Sequence, residues 1–109
     1  MPTKSKSPST TAEKLPPVHP GDILKETLDD LQMSMNQLAQ EIRVPANRIS
    51  SIVAGQRAIT AETALRLARY FGTTPQYWIN LQAHYDLETA RDRWEQRVVS
   101  EVQPRSSAA

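Results

Sequence analysis

Residues Ser34-Met-Asn-Gln-Leu-Ala-Gln-Glu-Ile-Arg-Val-Pro-Ala-Asn-Arg-Ile-Ser-Ser-Ile-Val-Ala-Gly55 read as two short helices joined by a tight turn. Ser34 and Gln37 have the spacing of a capping box, in which a serine hydroxyl and a glutamine side chain satisfy free N–H groups at a helix start. Met35, Leu38, Ala39 and Ile42 then recur at helical spacing on one face. Pro45 disfavours helical geometry at Val44, so this helix ends near Arg43. The next helix runs from Pro45 to Ala54, with Gly55 as its stop.

Each apolar position in this hairpin has a mechanical reason. Ala39 is small and lets the two helices cross closely. Val44 plugs the corner between them. Ile49, Ile52 and Val53 anchor the second helix to a core and leave Asn47, Arg48, Ser51 and Ala54 facing outward. A helix held this way fits the DNA major groove, which is wide enough to accept one. The outward groups suit base reading: Ala46 against a thymine methyl, Asn47 in a bidentate pair with adenine, Arg48 towards guanine or a phosphate, and Ser51 as donor or acceptor. Ser34 and Gln37 stand at a helix N-terminus, where N–H groups suit a phosphate. Gln56 and Arg57 follow the reading helix and can grip the flanking backbone. Asn and Ser on an exposed helix face weigh slightly against a plain structural hairpin, since they are mediocre helix formers.

Working outward, helix signals follow one another and strand alternation is absent. The first helix runs from Pro20 to Leu31, with Pro20 in the first turn and Leu24, Leu28 and Leu31 as one stripe. His19 before it reads as a cap or turn residue. The fourth helix is capped by Thr60, buries Ala64, Leu65, Leu67, Ala68 and Phe71, and stops at Gly72. The fifth starts with Thr74 and Pro75 and continues to about Trp94. The expected architecture is all-α: a five-helix, repressor-like helix-turn-helix bundle over residues 18–95, flanked by disordered tails at 1–17 and 96–109. The polar stretch Thr3 to Thr11 has no apolar period, and a basic arm is the less favoured reading of it.

The fifth helix carries Tyr77, Trp78, Leu81, Tyr85 and Leu87, more large side chains than one narrow stripe holds. Some must close the core. The rest are expected to form a dimer interface, where aromatics are favoured.

Bulk properties narrow the class. The 109 residues carry a net charge of +1, which is weak evidence for nucleic acid. The stretch from Ser34 to Ile59 has three arginines against one acid, whereas Asp86 to Ala109 has four arginines against five acids. There are no cysteines, which excludes disulfides and thiolate metal sites. No segment approaches the roughly 20 apolar residues of a membrane span, and no secretory signal is present, so a soluble cytoplasmic protein is expected. An enzyme needs converging catalytic groups. The two histidines, His19 and His84, have no metal-binding spacing, and no phosphate loop or nucleophile elbow is found. No enzyme activity, metal or cofactor is therefore expected.

The run His19-Pro-Gly-Asp-Ile-Leu24, then Leu38-Ala39 to Gly55, then Ile59 to Leu87 with its Ala-Leu-Arg-Leu-Ala-Arg-Tyr-Phe-Gly72 and Tyr77-Trp-Ile-Asn-Leu-Gln82 segments, resembles the HigA-type antitoxins. These belong to the wider Xre-like helix-turn-helix repressors. The likeness spans about His19 to Trp94. It implies a homodimer that binds a palindromic operator in double-stranded DNA and represses its own operon. It also implies a partner toxin similar to RelE, an mRNA endonuclease of the HigB type. A stand-alone repressor of the same fold, and a module that binds only protein, stay open. Three positions depart from the wider pattern: Met35 where Gln is frequent, Ala46 where a basic residue is frequent, and Arg43 where Gly is frequent. If Arg43 takes φ > 0, it carries strain on the order of 1 kcal/mol.

Overall fold

A computed structural model describes residues 15–106. The expectations for residues 1–14 and 107–109 lie outside the described residues. Five helices follow in order: α1 (Pro20–Leu31), α2 (Met35–Ile42), α3 (Ala46–Val53), α4 (Ala61–Phe71) and α5 (Pro75–Glu101). No strand occurs among the described residues.

The local signals act where the sequence places them. His19 caps α1 by accepting from the Gly21 N–H through Nδ1 at 2.8 Å. Ser34 Oγ accepts from the Gln37 N–H at 3.0 Å while Gln37 Oε1 accepts from the Ser34 N–H at 2.8 Å, which completes the capping box of α2. Thr60 and Thr74 cap α4 and α5 through their hydroxyls alone, accepting from the Thr63 and Tyr77 N–H groups, and Gly72 ends α4 with a positive φ of 75°. Arg43 ends α2 at φ 60°, ψ 47°, in the left-handed conformation, so the condition for strain at this position is met. Gln32 does the same after α1, without any glycine to announce it. Pro45 stands one residue outside α3 as its N-cap, and Gly55 lies two residues beyond the helix.

Leu24, Leu28, Leu38, Ile42, Ile49, Ile52, Ile59, Leu67 and Trp78 form the centre of a single core. α3 packs between α1 and α2, and α4 packs along α5. Met35, Val44, Val53, Phe71 and Leu81 close its margins. Gly21 lies so close to the Ile52 carbonyl that a Cβ there would overlap backbone atoms. α1 can therefore approach the end of α3 only because this residue has no side chain. Two expected core members are instead exposed: Leu31 at the last turn of α1 and Leu65 on the outer side of α4.

α5 is longer than its sequence pattern suggests. It continues to Glu101, so residues 96–101, expected in a tail, are helical. The apolar period was lost because the helix changes sides. At about 100° per residue, Leu87 stands about half a turn away from Trp78. The first half buries Trp78 and Gln82 against the bundle, and from Thr89 onward every described residue is exposed.

Candidate nucleic-acid interface

α3 is fixed from behind and open in front. Ile49 and Ile52 are fully buried, whereas Ala46, Asn47, Ser50 and Ala54 are exposed. Ala46 and Asn47 occupy the first turn of α3, so their side chains lead the helix outward. Ser51 is half-buried. Gln56 and Arg57 are exposed in the loop that follows, where the Gln56 N–H donates to the Ser51 carbonyl at 2.9 Å and turns the chain away from the helix axis.

Ser34 and Gln37 are exposed at the start of α2. Their capping bonds use the serine oxygen and the glutamine carbonyl as acceptors. The serine O–H and the glutamine NH₂ keep their donor capacity, which is the capacity a phosphate oxygen needs.

Arg48 is placed differently from its neighbours. Its side chain is only 24% exposed, and its Nη1 lies 3.0 Å from Glu62 Oε1 at the start of α4. Glu62 also takes Arg66 Nε on its second oxygen at 2.9 Å. The bonded Arg66 guanidinium, with Arg48 beside it, holds the Glu62 carboxyl below the ordinary carboxylate range. Arg66 in turn donates from Nη1 to the Ile42 carbonyl at the end of α2, at 2.9 Å. Arg48, expected to face outward, is half-buried, and an ion pair with α4 draws its side chain to the flank of the helix. Glu62 showed itself in the sequence only as an acid in a first helical turn.

The aromatic positions of α5 also divide. Trp78 is 1% exposed, packs near Phe71, and donates from Nε1 to Thr73 Oγ1 at 2.9 Å. Its surface is consumed by the core, which removes it from the expected dimer interface. Leu81 and Tyr85 are half-buried, Tyr85 with its ring edge-on to His19 at 4.7 Å between centroids. Tyr77 and Leu87 are exposed. Further along, Trp94, Val98, Val99 and Val102 are exposed as well, and Arg93 and Arg97 lie over the Trp94 ring at 5.5 and 5.6 Å. Gln82, a polar residue on the buried side of α5, was not singled out from the sequence. Its Oε1 accepts from the Ile59 N–H at 2.8 Å and its Nε2 donates to Asp86 Oδ1 at 3.0 Å. The signal available was a polar residue four positions after Trp78 on the same face.

Among the described residues no helix is long and apolar enough to cross a membrane. No group of three or more His, Asp or Glu is gathered there that could hold a metal ion.

A capped helix, a left-handed turn and a second helix anchored to the core define a helix-turn-helix protein, and the helix-turn-helix family model matches residues 24–78. A HigA-family addiction-module antidote protein from Coxiella burnetii is 49% identical with a TM-score of 0.82, over 84% of this chain and 100% of that one. Antitoxin HigA of Pseudomonas aeruginosa, solved with the higBA promoter, is 42% identical with a TM-score of 0.79, over 81% and 97% of the two chains. Virulence-associated protein I of Dichelobacter nodosus is 49% identical over 78 residues, 71% of this chain and 72% of that protein. Within the Xre-like helix-turn-helix class, the chain belongs to the HigA antitoxin family.

Proposed function

We propose that this protein is the antitoxin of a toxin–antitoxin module: a cytoplasmic homodimer that represses its own operon and neutralises a RelE-like mRNA endonuclease. The observation that carries the DNA-binding part is the exposure of Ala46 and Asn47 on the first turn of a helix whose opposite side is fully buried. Asn47 reads adenine, Ala46 meets a thymine methyl, and Ser51 adds a short polar contact. Ser34, Gln37, Gln56 and Arg57 hold the phosphate backbone on either side. The relative solved with promoter DNA supports the same use of this fold.

A two-fold partner supplies the second reading helix, since half-sites lie about 34 Å apart. α5 is the element read as the dimer contact. Tyr77 and Leu87 remain available from the residues first assigned to it, and Trp94, Val98 and Val102 extend the exposed apolar side. A second copy of the chain is the occupant that a palindromic operator requires.

The test is a titration of the full chain against the DNA upstream of its own gene and against random duplex, at several salt concentrations. The expected result is preferential binding to the upstream fragment that weakens steeply with salt. Equal affinity for the two duplexes at moderate salt sinks the repressor reading. Co-expression with the product of an adjacent small basic open reading frame tests the toxin: the expected result is a complex that suppresses mRNA cleavage. A neighbour that neither binds nor cleaves leaves a stand-alone repressor.

A further inference from the structure

The buried side of α3 fixes its depth and its outward face through close packing. Directional polar contacts add to this in aiming Asn47. The chain supplies them on the flank of the same turn. Arg48, next to Asn47, reaches Glu62 of α4 at 3.0 Å. Glu62 holds Arg66 at 2.9 Å on its other oxygen. Arg66 closes the run by donating to the Ile42 carbonyl, one of the α2 terminal carbonyls that the helix itself leaves without a partner. One carboxylate therefore ties the reading helix to α4, and through Arg66 to the end of the helix that precedes it. Both arginines are fixed on separate oxygens, so the carboxylate is spanned in two directions.

We infer that Glu62 is a positioning residue for DNA recognition: it latches α3 through Arg48 and sets the angle at which Asn47 meets the bases. Arg48 is then an anchor of the reading helix and no reader of bases. This rests on the proposed binding of DNA through α3.

A latch at Glu62 acts on DNA affinity with the opposite sign to simple electrostatics. Removing an acid near DNA, and freeing two arginines, should tighten binding to a polyanion. Losing the latch should weaken it. The experiment compares wild type, Glu62→Gln, Arg48→Ala and the double variant on the upstream fragment and on versions substituted one base pair at a time. Glu62 is exposed, so Glu62→Gln keeps the fold, and a circular-dichroism melt within a few degrees of wild type checks this. Glu62→Gln is expected to weaken binding to the natural fragment by about fivefold, the upper range for an exposed ion pair. The ranking of substituted fragments should stay as in wild type. Arg48→Ala should do the same, and the double variant should add little to either.

Tighter or unchanged binding by Glu62→Gln overturns the latch. So does an Arg48→Ala variant that loses preference at one base pair and adds fully to Glu62→Gln, since Arg48 would then read a base. Wild-type protein that does not distinguish its upstream fragment from random duplex defeats the DNA reading itself, and the latch with it. That outcome is separable from the others because it shows before any variant is compared.

Discussion

The N–H of Ile59 donates to Gln82 Oε1 at 2.8 Å, joining the loop after the reading helix to the buried side of α5. Ile59 and Gln82 are both buried, so water cannot replace either partner. A buried donor left without an acceptor costs about 1–3 kcal/mol. Gln82→Leu should destabilise the protein by that amount, although leucine is more apolar and fits the helix. Urea unfolding followed by circular dichroism checks this, and unchanged stability would mean that the loop finds another acceptor.

Gly21→Ala should be destabilising for a steric reason. The added Cβ meets the Ile52 carbonyl, so α1 and the end of α3 must separate. Overpacking of this kind costs about 1–3 kcal/mol. Ile52 anchors the reading helix, so operator affinity should fall together with the melting temperature. A variant that melts like wild type contradicts the close approach.

Arg43 is a test in the opposite direction. It holds φ 60° without being glycine. Arg43→Gly relieves strain of about 1–2 kcal/mol and forfeits about 0.5–1 kcal/mol of chain entropy. A net gain of up to about 1.5 kcal/mol is expected in chemical denaturation. A loss of stability would show that the arginine side chain contributes more than its backbone strains.

Asn47→Ala should weaken operator binding by about 1–3 kcal/mol and relax preference at one base pair of each half-site. Arg57→Ala should weaken natural and substituted operators alike and lower the salt dependence. Binding isotherms on single-base variants separate the two patterns, and a uniform loss from Asn47→Ala would remove it from the base readers.

Val98→Asp places a charge on the exposed apolar side of α5, far from the core. Light scattering should show a dimer become a monomer, with the thermal stability of the bundle kept and operator affinity lost. Trp78→Ala should behave differently, with a loss of about 3–5 kcal/mol from the core. A Val98→Asp protein that stays dimeric would move the interface elsewhere.

Glu62 also has a pH signature. Arg66 and Arg48 favour its ionised form in the folded state and so hold its pKa below the ordinary carboxylate value. Its contribution is therefore complete above the ordinary carboxylate value and is lost as the pH falls through the lower folded value. Any melting difference between wild type and Glu62→Gln at neutral pH should shrink as the solution is acidified below about pH 4. A difference that does not change with pH would detach it from the carboxylate.

Residue order alone determined much of this protein. Helix starts at His19, Ser34, Thr60 and Thr74, and the stop at Gly72, are local hydrogen-bonding and backbone preferences acting within one turn. Periodic Leu and Ile then identified which face of α2 and α3 is buried, and so exposed Asn47 as a candidate reader. Tertiary structure decided what depends on residues distant in the chain. Whether Trp78 serves the core or an interface was set by the cluster it joins with Leu24, Leu28 and Leu38 of the earlier helices. Whether Arg48 points forward or is held back was set by Glu62, fourteen residues later on another helix. α5 outran its expected end because its apolar residues move from one side to the other, and only the packed bundle shows which side is covered. Local rules specify where a helix begins and which face is apolar. Which neighbour meets that face is a property of the assembled core.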